Sequence, residues 1–179
     1  MLLMIGLRGI QAADFPTTKS VGIEGVIIPA DIAREWGDSI GLGRGAGHGI
    51  QDILGVHAQS YWTPSPPEVE RVETRLREVL ENAAKDPATL EFAPATTSPK
   101  YVSAQIAQIL SHYGEYRRQY IGLVIDGKRH IYINSFRSSD ATDYKKQFIF
   151  VPDGGFWFWH IVYSKEDNRF HHLAISAAE

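Results

Sequence analysis

Asp126-Gly127 sits between two strongly apolar runs, Arg118 to Ile125 and Lys128 to Phe136. Asp-Gly suits a two-residue type I′ turn, because both of its positions need positive φ. A turn that tight folds the two runs onto each other as an antiparallel hairpin. The rest of the C-terminal third follows the same period. Gln147 to Val151 predicts a third strand, Pro152 to Gly155 a turn, Phe156 to Tyr163 a fourth strand and Arg169 to Ile175 a fifth. The fourth, FWFWHIVY, lacks the alternation of a half-exposed strand, so it should be covered on both faces or lie centrally.

Upstream, the spacing is helical. Ser65-Pro66-Pro67-Glu68 has the form of a capping box with proline at the first helical position. Val69, Val72, Leu76, Val79, Leu80 and Ala83 then form one apolar stripe that should end near Ala84. Ser98-Pro99 starts a second helix in the same way. Its stripe is Val102, Ile106, Ile109, Leu110 and Tyr113, and Gly114 is its natural stop. Helices followed by strands imply an α+β architecture: two helices packed on an antiparallel sheet of four or five strands.

The first third is less regular. Val21 to Ile28 predicts a strand stopped by Pro29, and Asp31 to Trp36 one or two helical turns. Glycines at 37, 41, 43, 45, 47 and 49 predict an irregular loop over 37–49, since that density is costly inside a helix or strand. A chain of 179 residues suits one domain, expected over 21–179. Residues 1–20 form a separate N-terminal segment. Apolar Met1 to Ile5 and the small residues Ala12 and Ala13 fit the remnant of a secretory signal, although a first strand or a frayed terminus fits as well.

Several function classes are excluded or weakened. There is no cysteine, which removes disulfides, thiolate nucleophiles and cysteine-held zinc. A net charge of −3 gives no electrostatic ground for nucleic acid. No run of 18 apolar residues is present, so no transmembrane segment is expected. No cofactor is expected either. The glycine run lacks the Lys-Ser/Thr of a P-loop and the spacing of a dinucleotide fingerprint.

Gly37-Asp38-Ser39-Ile40-Gly41 fits the G-x-S-x-G frame, and its Gly-Asp-Ser block resembles the SGNH-type esterases. A nucleophile at Ser39 needs a strand before it and a helix after it. Helical spacing precedes it and glycines follow. A Gly-x-Asn-Asp block is missing, and Asp167 and His171 are one residue too far apart for Asp-x-x-His. A serine hydrolase is therefore an alternative, not the leading reading.

His171 and His172 are neighbours on a strand, so they should point to opposite faces. If Ser164 to Asn168 is a five-residue loop, Tyr163 faces Arg169 and His160 faces His172. Two imidazoles across a ladder can share a metal, which makes His160 and His172 a second alternative. A one-residue slip would undo that pair. Trp157 and Trp159 lie on one side of their strand. With Arg118, Tyr120 and Asp153 they form the candidate contact surface at the sheet edge, for an unknown protein or small ligand.

The segments YRRQYIGLVIDGKRHIYINSF and VPDGGFWFWHIVYSKEDNRFHHLAI, with Trp62-Thr63-Pro64 upstream, resemble a group of small, often exported bacterial proteins without established activity. The resemblance runs from Tyr61 to Ile175 and includes Arg118-Gln119-Tyr120-Ile121-Gly122. His160 stands where that pattern has glycine, and Ser176 where it has asparagine. The resemblance implies a periplasmic or secreted location, with a cytoplasmic one as the alternative, and a compact helix-plus-sheet domain. It implies no catalytic residues. The leading expectation is thus a non-enzymatic exported binding or accessory domain.

Overall fold

The computed structural model describes residues 15–40, 58–92, 98–137, 144–149, 151 and 154–176. The chain is α+β. Strands β1 (Thr17–Ser20) and β2 (Ile23–Ile27) lead into helix α1 (Ala30–Ile40) and strand β3 (Ser60–Trp62). Helices α2 (Pro66–Lys85) and α3 (Pro99–Ser111) follow. Strands β4 (Arg117–Ile125), β5 (Lys128–Phe136), β6 (Phe158–Ser164) and β7 (Arg169–Ile175) complete the fold. They form one seven-stranded sheet in the order β1-β2-β4-β5-β6-β7, with β3 beside β4. All pairings are antiparallel except β2 with β4.

Among the described residues the sheet is wider than the expected four or five strands, and α1 adds a third helix. The extra strands come from the irregular first third. Val21 and Gly22 are not strand residues. Their φ values of 51° and 82° make a two-residue turn between β1 and β2. The Asp126-Gly127 turn forms as expected, with φ values of 50° and 74°. Helix α1 continues through Gly37 to Ile40, so the irregular loop does not begin at residue 37. The rest of that expected loop, residues 41–49, lies outside the described residues, as do residues 1–14.

The sheet is covered on both faces. The helix-side core joins Val69, Val72, Leu76 and Leu80 of α2 and Val102, Ile106 and Ile109 of α3 to Tyr120, Ile131, Ile133, Trp159 and Ile161 of the sheet. The opposite core joins Ala33 and Trp36 of α1 to Phe15, Val26, Ile121, Leu123, Tyr132, Tyr144 and Val162. Strand β6 is therefore apolar on both sides because both sides are packed, as its sequence required. It begins at Phe158, and Gly155–Trp157 form a short 3-10 turn before it.

Residues 147–149 do not form the expected strand. Two buried side chains take over the work of a ladder. The Gln119 amide donates to the carbonyls of Tyr144 (2.8 Å) and Gln147 (2.6 Å). Its oxygen accepts from the Ile149 N–H (3.1 Å). Asn134, the cross-strand neighbour of Gln119, donates to the Ile149 carbonyl (2.6 Å) and to Gln119 Oε1 (3.0 Å). Backbone groups satisfied in this way need no strand partner.

The Trp62-Thr63-Pro64 segment acts as a joint. Trp62 pairs with Gly122 across β3 and β4, and a Cβ on Gly122 would lie 2.2 Å from the Trp62 carbonyl oxygen and 2.8 Å from its ring. Only glycine fits there. Thr63 Oγ1 accepts from the Ala30 N–H (3.0 Å) at the start of α1.

The start of α2 is tied to the far hairpin. Glu68 accepts from the Ser65 N–H (2.9 Å) and hydroxyl (2.7 Å), and Lys165 donates to its other oxygen at 2.5 Å. Burial opposes its charge, but the Lys165 and Ser65 hydrogen bonds outweigh burial and lower the carboxyl from 4.5 to about 2. A depressed folded pKa contributes stability that is present above the unfolded value and lost as pH falls through the folded one. Urea unfolding at a series of pH values should therefore show stability falling between pH 4.5 and pH 2. Glu68→Gln should flatten that slope.

Candidate functional site

Arg118 and Glu73 are both wholly buried between α2 and the sheet, with Arg118 Nε 3.5 Å from Glu73 Oε1. Glu73 also accepts from the hydroxyls of Tyr120 (2.9 Å) and Tyr113 (3.3 Å). The guanidinium lies over three rings, with its carbon 4.8 Å from the centre of Trp159, 5.2 Å from Tyr113 and 5.4 Å from Tyr116. Its nitrogens have no hydrogen-bond partner among the described residues, so ring faces and one carboxylate balance the charge. Burial opposes ionisation of Arg118, and Glu73, Tyr113 and Tyr120 together outweigh it. Burial also raises Tyr113 and Tyr120, and Glu73 raises them further, so both phenols stay protonated donors.

These positions turn Arg118, Tyr120 and Trp159 from contact residues into core. Their side chains are at most 1% exposed and pack on the helix side. Trp157 is separate from them. It is 45% exposed, with the Arg137 guanidinium carbon 4.7 Å from its ring centre. Asp153 lies outside the described residues. Breaking a buried ion pair by removing one partner leaves an uncompensated charge, which costs about 3–5 kcal/mol. In urea unfolding, Glu73→Ala should lose stability on that scale, and the paired change Glu73→Leu with Arg118→Met should lose much less.

Ser39 lies in the last turn of α1, with helix before it. No strand delivers it, so the local backbone is not that of a nucleophile elbow. Among the described residues, no helix is long and apolar enough to cross a membrane.

The histidines are arranged differently from the sequence expectation. The β6–β7 turn holds four residues, Lys165 to Asn168, and the register runs Ser164 to Arg169, Tyr163 to Phe170 and His160 to Ala174. His160 therefore does not face His172. The turn is shorter because Asn168 takes φ +50° and accepts from the Tyr163 hydroxyl (2.8 Å). Ser164 meanwhile donates to Asp167 (2.8 Å). His160 is half-buried beside Tyr132, 5.2 Å between ring centres, and burial and then His172 lower it to about 4.

A β-bulge follows. Between the His160–Ala174 and Val162–His171 pairs, β6 advances two residues and β7 three. The extra residue is His172, whose φ of +51° is left-handed. The bulge cancels the alternation of neighbours, and His171 and His172 come together instead of facing apart. Their Nδ1 atoms are 2.7 Å apart and their ring centres 4.9 Å. Sequence spacing gives no sign of this, because the bulge is a property of the ladder.

Around this pair lies a cleft of about 360 Å³ at the turn end of the sheet. Asp126 and Lys128 line it from the β4–β5 turn, Asp167 and Arg169 from the β6–β7 turn, and His130 from β5. Glu91 closes one side. It is held there because its carbonyl accepts from the Leu173 N–H (2.9 Å) and Phe92 forms a parallel bridge to Leu173. Its carboxylate lies 3.6 Å from His172 Nε2. His130 and His171 meet edge to face, 5.5 Å between ring centres. Burial lowers His130. Burial, with His172 and His130 next to it, lowers His171 to about 4. His130 and His171 are thus neutral imidazoles near neutral pH, set among charges of both signs.

Comparison with protein-family models, curated proteins and solved structures finds no match for the chain.

A non-glycine residue in the left-handed region carries about 1 kcal/mol or more of strain. His172→Gly should therefore raise stability by about 1 kcal/mol, read from the urea midpoint at an unchanged denaturant slope.

Proposed function

We propose that the chain is a non-enzymatic binding domain that takes a small polar or ionic ligand in the cleft beside His171 and His172. The observation that supports this most is the bulge at His172. It keeps a strained residue in order to set two imidazoles side by side, and such bulges are common next to functional sites. The cleft volume lies in the range of small-molecule sites, and its lining offers donors, acceptors and both signs of charge. Action outside the cytoplasm belongs to the same proposal and rests on the resemblance over Tyr61 to Ile175 alone.

The hydrolase alternative has less support, because α1 runs through Ser39. The test is a thermal-shift screen of the full chain with small anions, amino acids, sugars and divalent cations. A ligand at one hundred times its Kd stabilises by about 2.7 kcal/mol. At least one class should raise Tm in the wild type and not in the variant His171→Ala with Arg169→Ala. A screen without any shift sinks the cleft reading. Stoichiometric fluorophosphonate labelling that disappears in Ser39→Ala would replace it with an esterase.

A further inference from the structure

Resting on the cleft reading, we infer that the ligand is a divalent transition-metal ion of the zinc type, held by His171, His172 and Glu91. Each of these residues offers one ligand atom, and the three atoms lie within 4.8 Å of one another. Two imidazole nitrogens and one carboxylate oxygen form a donor set that zinc accepts. Magnesium and calcium prefer oxygen throughout, and cysteine-demanding sites are excluded by composition.

The histidine pair needs little adjustment. Zinc bonded to two nitrogens at about 2.0–2.1 Å in a tetrahedron separates them by about 3.3 Å. The two Nδ1 atoms stand 2.7 Å apart, so an opening of about 0.6 Å admits the ion between them, and the Glu91 carboxylate, 3.6 Å from His172 Nε2, reaches the same ion by rotating its side chain toward the Nδ1 edge. The only other favourable contact at that distance is one imidazole N–H donated to its neighbour. That bond needs no left-handed residue and no carboxylate on the second ring.

The three donors are also held by separate devices. His172 is fixed by the bulge, His171 by the β6 ladder and its edge contact with His130, and Glu91 by the backbone bond to Leu173. Three protein donors would leave one coordination position open, and Lys128 and Arg169 line the same cleft. This is the open type of site, in which water or an anion completes the shell.

The experiment is a zinc titration of the full chain, stripped with chelator beforehand, against a chromophoric competitor. Magnesium and calcium chloride serve as controls. One zinc per chain is expected, with no competition from either control. His171→Ala and His172→Ala should each weaken binding by at least about tenfold, and Glu91→Gln by about tenfold or more. His112→Ala, far from the cleft, should not change it. If an alanine variant does not fold by circular dichroism, the unaltered chain carries the test. Zinc should then protect His171 and His172 from diethyl pyrocarbonate, read by peptide mass spectrometry. Absence of stoichiometric zinc overturns the inference, as does zinc retained when both histidines are replaced. If zinc fails while another ligand of the screen still raises Tm through the cleft, only the metal assignment falls. If nothing binds, the cleft reading falls with it.

Discussion

A positive charge at Arg118 with no access to water is the constraint around which the helix side of the protein is arranged. An isolated buried guanidinium is too costly to keep, so everything near it must answer its charge. Glu73 does so from α2, and three aromatic rings do so from the sheet and the segment before β4. Two tyrosine hydroxyls then fill the remaining needs of the carboxylate. The group fixes how α2 lies on the sheet more narrowly than apolar packing would, because a shift of one helical turn would strand a charge. Apolar contacts tolerate such slips far better.

The opposite face uses neutral polar groups to the same end. Gln119 and Asn134 lie side by side on neighbouring strands and hold the backbone of residues 144–149. On adjacent strand positions, Arg118 looks toward the helices and Gln119 away from them. The short Arg-Gln-Tyr sequence thus anchors both layers through strand alternation alone.

Local signals were legible in the sequence. The Asp126-Gly127 turn, the Ser65–Glu68 box, both apolar helix stripes and the two-sided burial of β6 each depend on residues close together in the chain. What the sequence hid depends on distant partners. The buried amides that make residues 147–149 a satisfied loop are some thirty positions or fewer away in sequence but are joined only by the sheet. Arginines beside aromatics at a strand start fit an acidic partner or a glutamate of the first long helix, and only the fold picks out Glu73. The histidine pair was hidden most completely. Alternation separates His171 from His172, and only one extra residue in the ladder, opposite β6, reverses that rule. Trp62 and Gly122 were visible as parts of a pattern, but their reason, a ring and a carbonyl where a Cβ would stand, belongs to the contact between β3 and β4.

The bulge in β7 has a consequence beyond the cleft. β7 is the last strand of the sheet, and a straight last strand offers its unpaired amides and carbonyls to any other chain in solution. Here the strand is broken at His172, and the Glu91–Phe92 segment occupies part of its outer rim. A foreign strand would find neither a continuous row of hydrogen-bonding groups nor a free edge at Leu173. The irregularity that joins two histidines thereby also guards the fold against growth by strand addition.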